Sequence, residues 1–263
     1  MLKINTTLAY QFDEPTDILL QLEAALIPEQ TVTDHHIDIG GNDHFARVEG
    51  HCAIGDRIWL RAHNLLTVSY RSYVTIGRLL ADVATLPALE TYLLPGETID
   101  FLMPSRFCPS DRFGPFVEDE FGSLAGGVRI AAIRDWVAQH ITYKPGSSDA
   151  FTSASEALVD RAGVCRDFAH LVITMARASA IPARYVSVYA PDVTPQDFHA
   201  VAEVFLGGAW HMVDATGMST PADTAKIGVG RDAADVPFLS SFGNAVMVEQ
   251  VVKVERMGRV FPK

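Results

Sequence analysis

The sequence predicts an α+β protein in which a β-sandwich-like N-terminal domain precedes a core of helices followed by antiparallel strands. Over most of residues 1–105, apolar residues alternate with polar ones, as in short strands with one buried face. Between residues 126 and 181 the apolar spacing changes to three and four, which is typical of amphipathic helices. After Pro182 the spacing returns to two, so the second part has its helices first and its strands last.

Composition and charge exclude some classes of partner. The 263 residues are 48% hydrophobic and 20% charged, as in globular proteins. The net charge is -11 and no run of Lys or Arg occurs, so neither a nucleic acid nor an anionic membrane surface is an expected partner. Residues 1–10 lack the apolar core of a signal peptide, and no apolar run is long enough to cross a membrane. We therefore expect a cytoplasmic protein, in an oligomeric state that the sequence does not specify.

The cysteines and histidines do not form a metal-binding pattern. The 3 cysteines are far apart in sequence, which argues against a disulfide framework or a zinc cluster. The histidines of the N-terminal part lack ligand spacing, and the neighbours His35 and His36 would point to opposite faces of a strand. We expect solvent-exposed or capping roles for these histidines and no metal or cofactor, with a histidine metal site as the alternative. The residues concerned are Cys52, Cys108, Cys165, His35, His36, His44, His51 and His63.

The predicted N-terminal domain covers residues 1–105. Gly40 to Asp43 carry a strong turn signal, so the strands on either side of them are expected to be separate. Residues 106–125 are rich in Pro and Gly and are predicted to be a connector, and residues 126–263 are assigned to the core. The candidate strands of the first domain are residues 2–10, 18–26, 35–39, 45–48, 57–62 and 65–76.

Three helices are predicted in the core. The first spans residues 128–141, and the second begins at a capping box formed by Ser153 and Glu156. The third begins at Cys165, has its apolar residues on one face, and ends before Pro182, which cannot continue a helix. Cys165 would therefore lie in the first turn, where free N–H groups and the helix dipole favour a thiolate, the nucleophilic form. The alternative is a small buried residue without a chemical role.

A predicted hairpin places His199 close to Asp214. Residues 198–205 and 209–216 alternate like strands, and Gly207 with Gly208 makes a two-residue loop between them. In that register, Leu206 faces Ala209, and His199 and Asp214 are diagonal neighbours on one face, roughly 7–8 Å apart. An imidazole–carboxylate hydrogen bond can span this distance. A slip of one residue would put the two side chains on opposite faces.

The same register separates the competing residues. His211 falls on the opposite face, and Glu203 lies roughly 13 Å from His199 along the strand, so a structural role is expected for Glu203. Asp197 is the alternative acid. His170 lies off the helical face of Cys165 and is expected in the core. Residues 221–243 are predicted to be loop, followed by a closing strand over residues 246–254.

Several motifs resemble the transglutaminase-like superfamily, in particular its bacterial members described as candidate cysteine proteases. The resemblance rests on residues 155–171 (SEALVDRAGVCRDFAHL) and 181–187 (IPARYVS), and on His199, Asp214 and Thr216. The segment GRDAADV at residues 230–236 also looks like a loop of this family, and such proteins often carry a β-rich region before the core. The likeness covers about residues 125–255.

The resemblance implies a papain-like α+β core with a Cys–His–Asp triad. By motif match the nucleophile is Cys165, the base is His199 and the orienting acid is Asp214. The backbone N–H of Cys165 would stabilise the oxyanion, and Tyr143 is a candidate second donor. The expected reaction is acyl transfer through a thioester.

We therefore expect a cysteine-dependent enzyme that hydrolyses amide bonds in a peptide or protein substrate. Two alternatives stay open from the sequence. One is a transglutaminase that transfers the acyl group to an amine, and the other is a binding or scaffold protein that does not use its triad.

Overall fold

The computed structural model describes residues 1–258, in which an antiparallel sheet precedes a mixed helical and strand region. The first four strands are β1 (Leu2–Gln11), β2 (Thr16–Leu20), β3 (Gln30–Glu49) and β4 (Asp56–Ile76). The elements that follow are α1 (Gly114–Phe121), α2 (Gly126–His140), β5 (Thr142–Tyr143), α3 (Ala154–Asp160), β6 (Ala162–Gly163), α4 (Cys165–Ala178), β7 (Ala183–Tyr189), β8 (His199–Leu206), β9 (Ala209–Val213), β10 (Ala225–Gly230), β11 (Leu239–Ser241) and β12 (Val246–Arg256).

The predicted β-rich N-terminal region is confirmed, and its strands belong to one 6-stranded sheet. The strand order is β11-β2-β4-β1-β12, with β3 beside β4. Strand β4 pairs with β2 through its first half and with β1 through its second half. Both halves contribute side chains to one hydrophobic cluster, so the long strands curve around a shared core.

The turn predicted at Gly40 to Asp43 is wrong, because β3 continues through these residues. The register against β4 shifts on both sides of Asn42, which marks bulges. Gly41 has a φ of +79°, and a Cβ there would lie 2.0 Å from the carbonyl oxygen of Leu65. The glycines therefore allow two bent strands to approach closely. The same glycine-rich sequence is also typical of a hairpin loop, so the sequence does not distinguish a bulged strand from a turn.

The connector contains structure that the sequence did not predict. Several short 3-10 turns follow β4, and α1 begins at Gly114. Pro115 lies in the first turn of α1, where a missing N–H costs nothing.

The helices and the hairpin of the core agree with prediction. Helices α2 and α4 pack on each other, and α4 also packs on β7 and β8. The order of the 4-stranded sheet is β10-β7-β8-β9, and Leu206 pairs with Ala209 across the two-glycine loop. Strand β10 was missed, because its two glycines and Lys226 obscure a fully buried strand. No helix within residues 1–258 is long and apolar enough to span a membrane.

The predicted division into domains at residues 105 and 125 needs one correction. Strands β11 and β12 lie in the range 126–263 that was assigned to the core, but β11 pairs with β2 and β12 pairs with β1. The end of the described chain thus completes the N-terminal sheet. Tyr189, at the end of β7, also reaches this sheet, since its hydroxyl donates to the carbonyl of Leu22 at 2.7 Å. The two regions are therefore tightly connected.

Candidate active site

Cys165 is the first residue of α4 and opens onto a cleft. The short strand β6 precedes it and pairs in parallel with β5, which fixes where the helix begins. The cysteine is partly exposed and lines a cleft of about 520 Å³ together with His199. This is the position predicted from the apolar pattern of the helix.

A buried carboxylate holds the turn before Cys165. Asp167 is fully buried, and it accepts hydrogen bonds from the backbone N–H of Val164 at 2.8 Å and from the hydroxyl of Ser148 at 2.6 Å. A Cβ on Gly163 would lie 2.7 Å from the Cβ of Asp167. The turn therefore packs tightly against Asp167, and this arrangement fixes the start of α4.

His199 and Asp214 form the predicted contact. His199 is 2% exposed, and its Nε2 lies 2.9 Å from a carboxylate oxygen of Asp214. Asp214 also accepts from the N–H and the hydroxyl of Thr216 at 2.8 and 2.7 Å, and from the hydroxyl of Ser219 at 2.7 Å. The carboxylate is thus held in place by two hydroxyls and one backbone N–H, and it in turn orients the imidazole.

The charges of the site favour a protonated histidine. Burial by itself would lower the pKa of His199, but the hydrogen bond to Asp214 and the interaction with the Cys165 thiol outweigh it and raise the pKa to about 9. Burial would likewise raise the pKa of Asp214, but the hydrogen bonds from His199, Thr216 and Ser219 lower it below its usual value. The Nδ1 atom of His199 is buried and has no hydrogen-bond partner in the described part of the chain. This nitrogen is therefore available for a proton that moves between Cys165 and a substrate.

Tyr143 lies beside the backbone of Cys165. Burial and the nearby Cys165 raise the pKa of Tyr143, while a hydrogen bond with the backbone N–H of Cys165 acts in the opposite direction. The ring also packs on Phe168 of α4, with the centroids 5.9 Å apart. The candidate second oxyanion donor of the sequence thus lies next to the first one.

The competing residues have other partners. Glu203 binds Arg184 and Lys226, as its predicted structural role requires. His211 contacts the carbonyl oxygen of Leu206, and the buried ring of His170 accepts from the N–H of Ala233 at 3.2 Å. Asp197 lines the cleft, but His199 binds Asp214 instead. Among the residues that the structure describes, no three His, Cys, Asp or Glu side chains are grouped so that they could hold a metal ion.

Sequence reasoning missed two residues that support the site. Asp167 could have been found from its place three residues after the helix N-cap, where acidic side chains commonly cap the backbone. Ser219 lies in an irregular loop after β9, and no periodic pattern marks it. Its contact with Asp214 is visible in the structure alone.

Aromatic side chains form much of the cleft. Phe198 and Phe238 stack on each other with centroids 4.8 Å apart, and Phe107 and Phe151 also line the cleft. The loop over residues 230–236 adds a wall, and Asp232 within it accepts from the N–H of Phe107 at 2.8 Å. Walls of this kind favour apolar groups of a ligand.

Comparisons with known proteins agree with this geometry. The sequence profile of the transglutaminase-like superfamily matches residues 122–215. An uncharacterized protein of Mycobacterium leprae is 32% identical over 213 residues, which cover 75% of this chain and 76% of that protein. An uncharacterized protein of Mycobacterium tuberculosis is 33% identical over 126 residues, or 41% of this chain and 40% of that protein.

The fold is also similar to that of a solved structure. The crystal structure of a candidate cysteine protease from Cytophaga hutchinsonii superimposes with a TM-score of 0.93 at 33% sequence identity. The match covers 99% of this chain and 92% of that chain. It confirms the predicted fold class, a core of the transglutaminase type preceded by a β-rich region.

Proposed function

The chain belongs to the transglutaminase-like superfamily, and on this basis we propose that it is a cysteine-dependent enzyme that hydrolyses amide bonds in peptides or isopeptides. The observation that carries the proposal is the arrangement of the cleft. Cys165 begins α4 at the cleft, His199 lines the same cleft, and the Nε2 of His199 lies 2.9 Å from the carboxylate of Asp214. These are a nucleophile, a base and an orienting acid in the order that acyl transfer needs.

In the first half-reaction the acyl group moves to sulfur. The Cys165 thiolate attacks the amide carbonyl carbon, and a C–S bond forms as the carbonyl oxygen becomes an oxyanion. The His199 imidazolium then donates its Nδ1 proton to the amide nitrogen, and the C–N bond breaks to release the amine. Asp214 binds the Nε2–H throughout, so the imidazole keeps one tautomer and one orientation.

In the second half-reaction water releases the acyl group. Neutral His199 takes a proton from water at Nδ1, and the hydroxide attacks the thioester carbon. The C–S bond breaks, the acid leaves, and the thiolate–imidazolium pair is restored. The buried position of His199 supports this role because Asp214 compensates the cost of holding a charged imidazole away from water.

Two donors are candidates to stabilise the developing oxyanion. The backbone N–H of Cys165 belongs to the first turn of α4, where it lacks a partner within the helix. Tyr143 of β5 pairs with Gly163 of β6, two residues before Cys165, which makes its hydroxyl the candidate second donor. When a substrate binds, both groups would turn to its oxygen.

The proposal is tested by thiol labelling and by turnover. Cys52 is an exposed free thiol, so the experiment uses a Cys52→Ser background and maps the label by mass spectrometry. We expect iodoacetamide to alkylate Cys165 at pH 6, where an ordinary thiol near pKa 8.5 is almost unreactive. We expect the same protein to cleave members of a fluorogenic peptide library.

Cys165→Ala is the control, and it should lose turnover while it keeps the circular dichroism spectrum of the parent. Product analysis with an added primary amine separates hydrolysis from amine transfer, since amide products in place of acids would favour a transglutaminase. If Cys165 resists alkylation at pH 6 and the protein shows no turnover, the scaffold function would be the alternative that remains.

A further inference from the structure

Two arginines meet at one aromatic ring on the wall of the cleft. The Phe107 ring is 5% exposed and stacks on the His170 ring, with centroids 5.3 Å apart and planes at 14°. The Cζ atoms of Arg106 and Arg166 lie 5.0 and 5.9 Å from the centroid of the same Phe107 ring. Both arginines line the cleft that contains Cys165. Two like charges thus share one short stretch of wall.

The two charges are not fully balanced by the protein. The guanidinium of Arg166 lies 3.2 Å from the buried carboxylate of Asp167 and also donates to the carbonyl of Asp149. Arg106 forms no ion pair with any residue in the range 1–258, and its cation–π contact holds it over Phe107. The wall therefore carries one uncompensated cation, although the net charge of the whole chain is -11.

The part of the cleft near His199 carries a carboxylate. Asp197 accepts hydrogen bonds from the side-chain amide of Gln250 and from the N–H of Phe198, both at 2.7 Å. These neutral donors orient Asp197 without cancelling its charge. It lies two residues before His199, so the anionic wall is on the histidine side of the cleft.

The direction of acyl transfer assigns each wall to one part of the substrate. The acyl portion becomes bonded to Cys165, which is next to Arg166 on α4. The leaving amine must receive its proton from His199, which is close to Asp197. The acyl portion therefore lies toward the arginines, and the amine portion lies toward the carboxylate.

We propose that the substrates are peptides with a carboxylate side chain on the acyl side of the cleaved amide, bound by Arg106 with the help of Arg166. This inference rests on the proposed acyl transfer at Cys165. A guanidinium binds a carboxylate through paired N–H groups, and a contact over an aromatic ring keeps those groups in one plane. If the peptide binds in the reverse direction, Asp197 repels the same carboxylate. This repulsion disfavours the reversed peptide and so determines the direction of binding.

The test uses irreversible peptidyl ketones that differ at one residue. Three acyloxymethyl ketones carry Glu, Gln or Lys at the first residue before the reactive carbon, and a second set carries them at the second residue. The second-order rate of Cys165 alkylation is measured in the Cys52→Ser background. In at least one set, we expect Glu to react at least about tenfold faster than Gln, as a charge-assisted contact predicts, and Lys to react slowest.

Variants assign the preference to Arg106. Arg106→Gln should reduce the ratio of the Glu and Gln rates to about one, and Arg106→Glu should make Lys the preferred residue. Arg112→Gln is the matched control, since Arg112 is an exposed arginine outside the lining of the cleft, and it should keep the ratio of the parent. If Arg112→Gln lowers the ratio of the Glu and Gln rates as much as Arg106→Gln does, the proposal would be overturned.

Two further outcomes separate this inference from the proposed function. Equal rates for Glu, Gln and Lys in both sets would overturn the acidic substrate and leave the reactive cysteine in place. The acidic substrate would also be overturned if iodoacetamide alkylates Cys165 at pH 6 but none of the peptidyl ketones reacts with it. A Cys165 that resists both kinds of reagent would overturn the proposed function and this inference together.

Discussion

At the scale of single residues, His199 is subject to opposing effects. A buried imidazole resists a positive charge, because charging it means leaving water. Asp214, through a hydrogen bond of 2.9 Å, and Cys165 together reverse this preference, and Thr216 and Ser219 hold the Asp214 carboxylate in position. A change at any of these supporting residues therefore reaches the chemistry of His199 without touching the substrate.

The raised pKa of His199 predicts an alkaline limit to turnover. A pKa raised to about 9 means that the imidazolium persists as the pH rises and is lost above that value. Because the imidazolium must protonate the leaving amine, we expect kcat for an amide substrate to fall above about pH 9. The measurement is a pH–rate profile of kcat on a peptide amide.

Asp214→Asn supplies the comparison for that profile. The amide cannot balance the imidazolium, so the alkaline limit should move to lower pH and kcat should fall at least about a hundredfold. Ser219→Ala keeps the carboxylate and removes one of its donors, so its limit should move less. An alkaline limit that is the same in Asp214→Asn and in the parent would contradict the role given to His199.

Tyr143→Phe separates oxyanion stabilisation from positioning. Loss of one donor to an oxyanion lowers kcat by about 10²-fold to 10³-fold, and we expect a decrease of this order for peptide amides. Alkylation by iodoacetamide forms no oxyanion, so its rate at Cys165 serves as the internal control and should stay close to that of the parent. An equal decrease in both rates would mean that Tyr143 only positions the cysteine.

At the scale of elements, the start of α4 depends on a tightly packed turn that leaves no space for a side chain at Gly163. Gly163 does not need a positive φ. It is needed because its backbone packs against Asp167, whose carboxylate is already bound by Val164 and Ser148. The side chain of Asp167 cannot move away without losing these bonds, so any added atom at Gly163 must displace the turn itself.

Gly163→Ala should therefore affect activity and stability together. The new methyl group would lie 2.7 Å from the Cβ of Asp167, and we expect a loss of about 1–3 kcal/mol in the free energy of unfolding, as for other overpacked sites. Displacement of Cys165 should lower kcat at least about tenfold. Urea denaturation and peptide cleavage measure the two effects.

Gly114→Ala is the matched control, because a Cβ at Gly114 meets nothing within 4 Å. It should change the unfolding free energy by less than about 0.5 kcal/mol and should leave kcat unchanged. A Gly163→Ala protein as stable and active as the Gly114→Ala protein would show that the turn accommodates a side chain.

The elements also show which features can be predicted from sequence. The contact between His199 and Asp214 followed from the length of one glycine loop, because strand alternation carries a local register over several residues. Strand β10 could not be predicted in this way. Its glycines are there because neighbours approach closely, as at Gly228, where a Cβ would lie 2.3 Å from the Gln21 amide nitrogen. Tertiary packing of this kind leaves no periodic signal.

At the scale of the whole molecule, pairing between distant segments was beyond prediction. The strand over residues 246–254 was expected, but its partner β1 lies at the other end of the sequence. Local periodicity identifies a strand and its buried face without naming its neighbour. The predicted boundary therefore placed this strand with the core, whereas it extends the N-terminal sheet.

A buried network of charges links the two regions. Glu203 of β8 binds Arg184 of β7 and Lys226 of β10 at 2.7 and 2.6 Å, and the Glu203 and Lys226 side chains are each 1% exposed. Lys226 also pairs with Glu29, and Arg78 pairs with Glu29 at 3.1 Å. Glu29 and Arg78 flank the long β3–β4 hairpin, so the network connects the N-terminal sheet to the strand that begins with His199.

Glu203→Gln should destabilise the whole molecule. It would leave Arg184 and Lys226 as buried cations without their shared carboxylate, a change that typically costs about 3–5 kcal/mol of unfolding free energy. Glu255→Gln is the matched control, because Glu255 pairs with Lys253 at the surface, where the two side chains are 41% and 60% exposed. Its loss should stay below about 1 kcal/mol in urea denaturation.

The pH dependence of stability gives the same network a second signature. Burial would raise the pKa of Glu203, but Lys226 and Arg184 outweigh it and lower the pKa from 4.5 to about 2. A carboxyl whose pKa is lower in the folded state stabilises the protein above its unfolded value and loses that effect as the pH falls. The parent should therefore lose stability from this group between about pH 4.5 and pH 2, and Glu203→Gln should lack that part of the decrease. If both proteins lose stability equally over this interval, Lys226 and Arg184 must be neutralised by other groups, and the link between the two regions would not depend on Glu203.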